Sequence, residues 1–152
     1  MIIINKRNLF FLISVWLLST LLSAQNVTIS TPHTQLLLSV PNGGTPEQLY
    51  YGSRTSDADI RSICETARRR NAYPVYGMGY PCETALSVRH ADGNLTLQMA
   101  VIGVKETRLT KENATLTVIE LKDKVYPFFV NICYKAWQDA DAVSYTHLRA
   151  HE

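Results

Sequence analysis

The sequence predicts an all-β fold, mainly an antiparallel β-sandwich with one short helical excursion. Three observations carry that reading. Several stretches alternate apolar and polar residues with the period of two that a half-buried strand requires. Turn-forming clusters separate them, among them Pro41-Asn42-Gly43-Gly44 and Asp92-Gly93-Asn94. Only one segment, Asp57–Arg70, changes to helical spacing. No internal repeat and no low-complexity tract interrupts the pattern.

The two ends read differently from the middle. Residues 1–24 have the form of a secretory signal: Lys6 and Arg7 begin it, Leu9–Leu22 is apolar, and Leu22-Ser23-Ala24 offers a cleavage site before Gln25. The apolar run is short for a spanning helix, which needs about 20 residues. An exported protein, periplasmic or secreted and free of the membrane after cleavage, is expected. At the other end, Val143–Glu152 back-translates as GTC TCT TAT ACA CAT CTC CGA GCC CAC GAG, which resembles the read-through of a transposon-end sequencing adapter. The expected division is therefore signal 1–24, a β-sandwich domain 25–142 that is incomplete, and an artefactual tail 143–152. Without the ends, Lys6, Arg7 and Arg149 leave a basic count of 15, Glu152 leaves an acidic count of 13, and the net charge falls from +2 to zero. That balance gives no argument for a nucleic-acid or anionic-membrane partner. His147 and His151, at i and i+4, are not read as metal ligands because they lie in the tail.

Within the middle, Gln35–Val40 is a short apolar strand closed by the Pro41–Gly44 turn. Leu49-Tyr50-Tyr51 makes a second strand, broken at Gly52. Ile60, Ile63, Cys64 and Ala67 then recur at i, i+3, i+4 and i+7, the stripe of an amphipathic helix. The Arg68-Arg69-Arg70 run reads as a solvated face. From Tyr73 to His90 two Tyr-Pro steps bracket Gly77 and Gly79. Proline biases each preceding tyrosine to extended geometry, and the glycines allow turns closed to other residues. The expected result is a shaped loop displaying aromatics, delivered into a strand over Ala85–His90. Leu95–Val104 is the next strand, with Leu95, Leu97, Met99 and Val101 on one face, followed by a polar loop over Lys105–Asn113. Thr115–Leu121 and Val125–Trp137 complete the set, joined by Lys122-Asp123-Lys124. On the last strand Phe128, Val130, Ile132, Tyr134 and Ala136 share one side. Pro127 must lie at an edge, a bulge or the strand's start.

The run Tyr-Pro-Val-Tyr-Gly-Met-Gly from Tyr73, with Glu83, the segment Ala85–His90 and Asp92-Gly93 after it, resembles the N-terminal β-domain of family 36 glycoside hydrolases, the α-galactosidases. Gln35–Val40 is similar to that domain's opening strand, Glu47–Gly52 to its leucine-aromatic-aromatic-glycine step, and Leu116–Asp139 to its late strands. The resemblance spans roughly 33–142 and has the character of Bacteroides-type exported proteins. It departs where many members carry an acidic residue and an arginine after the second glycine. Tyr80 and Cys82 stand there instead, so the substrate contacts of those residues do not carry over.

The resemblance implies a parent enzyme that hydrolyses terminal α-linked galactose with retention of configuration, using two aspartates on a (β/α)8 barrel that follows this domain. Neither aspartate falls within the chain, so no catalytic residue is assigned and the fragment alone is expected to be inactive. The β-domain is expected to pack on the barrel, support a homo-oligomer and lend a loop to the pocket rim. Tyr76, Tyr80 and Glu83 are its candidate sugar contacts, since tyrosine faces stack on the apolar face of galactose. The alternative is a free-standing exported carbohydrate-binding or interaction module. No cofactor is implied, and no zinc-like ligand spacing is present. Three cysteines leave a disulfide between Cys64 and Cys82 open as one arrangement, with free thiols as the other. Glu83 and Asp92 are rejected as a carboxylate pair, because an intervening strand of that length separates its ends by roughly 25 Å.

Overall fold

A computed structural model describes residues 25–151, with side chains described as far as His147; the expected signal segment lies outside the described residues. The elements are β1 (Gln25–Ser30), β2 (Thr34–Val40), β3 (Glu47–Ser53), α1 (Asp57–Thr66), β4 (Arg70–Asn71), β5 (Met99–Leu109), β6 (Ala114–Asp123), β7 (Phe128–Trp137) and β8 (Val143–His151), with a 3-10 turn at Thr110–Glu112 between β5 and β6. They form two antiparallel four-stranded sheets, β1-β2-β3-β4 and β5-β6-β7-β8. The fold class is the one the alternation predicts.

β7 shows the cause most plainly. Its residues alternate between buried and half-buried without a break from Phe128 to Trp137. Phe128, Val130, Ile132, Tyr134 and Ala136 enter the core, where Val27, Ile29, Leu38 and Val40 of the first sheet meet them with Ile119 and Leu121 of β6. Pro127 lies immediately before the strand, where it removes no ladder hydrogen bond. The β6–β7 turn is built on Asp123, which is almost fully buried. Its carboxylate accepts from the N–H groups of Gln98 (2.6 Å), Val125 (2.8 Å) and Tyr126 (2.9 Å). Burial pushes this carboxyl up, but the three N–H donors outweigh it and hold the pKa below the usual range.

Two further connections join the sheets. The Pro41–Gly44 turn lies along β5: Gly43 N–H donates to Val101 C=O at 3.0 Å, and Val101 N–H donates to Gly44 C=O at 2.8 Å. At the other end Asp141 accepts from Thr31 Oγ1 and from His33 N–H, both at 2.8 Å, and meets His33 Nδ1 at 2.8 Å. The His33 contact first, then Thr31, draws the Asp141 carboxyl down to about 2.

Several elements differ from the sequence expectation. The helix begins where expected, with Ser56 and Asp59 capping each other, but ends at Thr66 rather than Arg70. Its expected apolar stripe (Ile60, Ile63, Cys64, Ala67) is the half-buried face, while the residues between are exposed. The chain stops being helical because Arg70 and Asn71 pair with Gln48 and Glu47 of β3. Ala85–His90 is not a strand. It makes one isolated bridge, Leu86 to Val75, although Leu86 is buried and Ser87 and Arg89 are exposed as the alternation requires. The strand expected at Leu95 begins at Met99 and runs to Leu109, so most of the expected loop Lys105–Asn113 is sheet. There Lys105 pairs with Glu120 at 2.5 Å, and the polar residues form an exposed edge. β1 was not expected at all. Val143–His151, expected to be outside the natural chain, adds to β7 in antiparallel register as β8. Such an addition needs chiefly main-chain donors and acceptors and an alternating sequence, and so places a weak demand on side-chain identity.

Candidate functional site

The loop from Tyr73 to Glu83 is anchored at both ends by buried residues. Tyr73 and Val75 are fully buried and act as pegs in the core. Their entry is fixed locally, since Asn71 Oδ1 accepts from Tyr73 N–H at 2.9 Å. The return is fixed by the Val75–Leu86 bridge and by Ala85 N–H donating to Pro74 C=O at 2.8 Å. Between these anchors the loop displays Tyr76 (55 % exposed), Met78 (41 %) and Tyr80 (45 %).

Glycine shapes the crest. Gly77 has φ +95° and Gly79 φ +72°, both in the region that favours glycine. Gly77 also lies against Thr96: a Cβ there would sit 2.4 Å from Thr96 Cγ2. Leu97 N–H donates to Tyr76 C=O at 3.0 Å. The aromatic loop is thus held to the 94–98 segment by backbone contact, with Tyr76 at the point of attachment.

Tyr76, Tyr80 and Glu83 all lie on this exposed loop, and none of their side chains makes a hydrogen bond or ion pair among the described residues. Their polar ends are available to a ligand or to another domain. Cys82 is exposed beside them, whereas Cys64 lies on α1 with its Sγ taking a hydrogen bond from Asn26 Nδ2 at 3.2 Å. All three cysteines are free thiols, so the disulfide that the sequence left open is not formed here. Burial pushes the Cys133 thiol up.

A neighbouring cluster escaped the sequence reading. The His90 ring stacks on Tyr126 with centroids 3.6 Å apart and planes 9° from parallel. Tyr126 Oη donates to Asp92 Oδ2 at 2.6 Å and accepts from Asn94 Nδ2 at 3.0 Å. His90, Asp92 and Tyr126 border a cleft of about 370 Å³ with Val88 and Phe128. The Tyr126 hydrogen bond, followed by the Asn94 N–H, holds the Asp92 carboxyl below its ordinary value; the same bond raises the Tyr126 phenol. Asp92 and Asp123 are therefore carboxylates engaged in holding loops, and neither is poised as a proton donor at neutral pH. Asp92-Gly93 was legible as a turn, but nothing in the sequence paired it with Tyr126. Among the described residues no group of three or more His, Cys, Asp or Glu side chains is arranged to hold a metal ion. No described helix is long and apolar enough to cross a membrane.

The fold occurs in known enzymes. Over 84 % of this chain it superposes, with a TM-score of 0.72 and 13 % identity, on 22 % of the α-galactosidase AgaA of Geobacillus stearothermophilus, in a variant bound to 1-deoxygalactonojirimycin. The α-galactosidase of Lactobacillus brevis matches over 82 % of this chain and 21 % of its own, with a TM-score of 0.69 and 16 % identity. The galactosidase domain of the α-galactosidase-sucrose kinase AgaSK matches over 79 % and 21 %, with a TM-score of 0.63 and 20 % identity. This chain thus spans about a fifth of the length of these enzymes. No curated protein sequence matches it. The family signature described as "Glycosyl hydrolase family 36 N-terminal domain" matches residues 44–148, which include the aromatic loop and both late strands. The chain belongs to glycoside hydrolase family 36, as its N-terminal domain.

Proposed function

We propose that the chain is the N-terminal β-domain of an exported α-galactosidase that removes terminal α-linked galactose with retention of configuration. The observation that carries this reading is the family match over residues 44–148, joined to a shared fold with α-galactosidases. In this reading a (β/α)8 barrel supplies the two catalytic aspartates, and the β-domain packs on it, supports the oligomer and lends the aromatic loop to the pocket rim. The loop's anchored ends and free tips suit that part, because a rim contact must be held in place before substrate arrives. Retaining hydrolysis needs one ionised and one protonated carboxyl about 5 Å apart. With both catalytic aspartates placed on the barrel, this domain alone should not turn over substrate. Residues 1–24 serve as the export signal, and residues 143–152 are translated adapter standing where the natural chain would continue.

A long sequencing read of the source DNA across the codon for Ala142 tests the reading. An open frame of several hundred codons with βα-repeating character supports it. A stop within a few codons overturns it and leaves a free-standing binding module. In the complete enzyme, Tyr80→Ala should lower kcat/KM for galactosides. An unchanged kcat/KM and unchanged substrate preference would remove Tyr80 from the rim.

A further inference from the structure

We propose a second site, an acidic-saccharide groove between β3 and the segment that leaves α1, suited to a pyranose bearing a carboxylate or sulfate. The groove is open to solvent, has a volume of about 490 Å³ and is lined by Gln48, Tyr50, Tyr51, Arg68 and Arg70 among others. That volume lies within the roughly 300–1,000 Å³ range of small-ligand sites.

The three consecutive arginines separate into two roles. Arg69 is engaged: its Nη1 donates to Glu47 Oε2 at 2.9 Å and to Ser39 Oγ at 3.2 Å. Arg68 and Arg70, on either side, both line the groove and have no carboxylate partner among the described residues. No acidic side chain lines the groove with them. Arg70 is fixed at its backbone by pairing with Gln48 across β4 and β3. Two unneutralised guanidinium groups on one groove select an anion, and their planar forks match the two oxygens of a carboxylate or sulfate.

The tyrosines specify what carries the anion. Tyr50 is pinned by its Oη donating to Ser53 C=O at 2.9 Å. Gly52 leaves the room this needs, since a Cβ there would lie 2.5 Å from that hydroxyl. Tyr51 is 63 % exposed, which leaves a ring face free to stack on the apolar face of a pyranose. This groove involves none of the loop residues Tyr76, Tyr80 or Glu83. It rests on the carbohydrate reading only in naming a sugar as the carrier of the charge.

The test is calorimetric titration of the 152-residue chain with trigalacturonate, against neutral galactotriose and triglutamate as controls. Trigalacturonate should bind, and weaken as sodium chloride rises from about 20 to about 300 mM. The double substitution Arg68→Ala/Arg70→Ala should weaken binding at least about tenfold, and the Lys pair should fall between, keeping charge but losing the fork. Tyr51→Ala should weaken it about fivefold through lost stacking. All these side chains are surface groups, so unchanged melting curves should certify that the variants fold. Absence of trigalacturonate binding, or equal binding of galactotriose, overturns the site. Equal binding of triglutamate overturns the sugar assignment. In each case the α-galactosidase reading stands or falls separately, on the reading frame and on turnover by the complete enzyme.

Discussion

Replacing Gly77 by alanine tests whether the aromatic loop owes its shape to contact with the 94–98 segment. Two costs are expected. The backbone at φ +95° is unfavourable for an L side chain, by about 1–2 kcal/mol for a left-handed residue. The new methyl would also stand 2.4 Å from Thr96 Cγ2, and overpacking of that kind costs about 1–3 kcal/mol. Gly79 supplies the control, with φ +72° and nothing within 4 Å of its would-be Cβ. Gly79→Ala should therefore cost only the backbone component, and Gly77→Ala should exceed it by about 1–3 kcal/mol. For a chain of this length the excess corresponds to roughly 3–9 °C in Tm. Urea unfolding followed by far-ultraviolet circular dichroism would measure both. Thr96→Ser removes the offending Cγ2, so in that background the excess should shrink, a coupling that a double-mutant cycle isolates. Equal costs at Gly77 and Gly79, or an excess untouched by Thr96→Ser, would refute the contact argument.

Other perturbations follow from the same geometry. Ile132→Ala, at a fully buried core position, should cost about 2–5 kcal/mol, while Asn131→Ala on the outer face should stay within about 0.5 kcal/mol; equilibrium unfolding compares them. Asp123→Asn exchanges one acceptor for a donor at an almost fully buried side chain that takes three N–H groups and should cost about 1–3 kcal/mol in the same assay. Asp92, Asp123 and Asp141 all have folded pKa values below the ordinary 3.8, Asp141 at about 2. A depressed carboxyl stabilises the fold fully above its unfolded value and loses that contribution as the pH falls through its folded value. Acid unfolding should accordingly begin near pH 4 and deepen toward pH 2, and Asp141→Asn should flatten that dependence in a circular-dichroism titration. A variant in which the Val143–His151 residues are replaced by another alternating sequence should retain the β7 pairing, read as unchanged amide-exchange protection across Val130 to Tyr134; loss of protection would show that β8 contributes through its particular side chains.

The sequence by itself determined the sandwich and the inner face of β7. The period of two in β7 named all five core residues correctly, because a strand puts alternate side chains on opposite faces whatever its neighbours are. The helical stripe from Ile60 to Ala67 and the turn at Pro41–Gly44 were equally local and equally legible. The aromatic loop was recognisable from its prolines and glycines, and the family from the loop together with the segments around it. What tertiary structure decided was whatever depended on a partner distant in the chain. Ala85–His90 alternates like a strand, yet it makes only one bridge. Lys105–Leu109 is polar, yet β6 offers it a ladder, and strand formation follows the available partner more than composition. The helix end was set in the same way, by β3 drawing in Arg70 and Asn71. The Tyr126–Asp92 and Asp141–His33 contacts join residues 34 and 108 positions apart. The division of the arginine run, with Arg69 spent on Glu47 and Arg68 and Arg70 left on a tyrosine-lined groove, likewise arose only when β3 and the end of α1 came together. Local periodicity fixes which way a side chain faces; only the folded chain fixes what it meets.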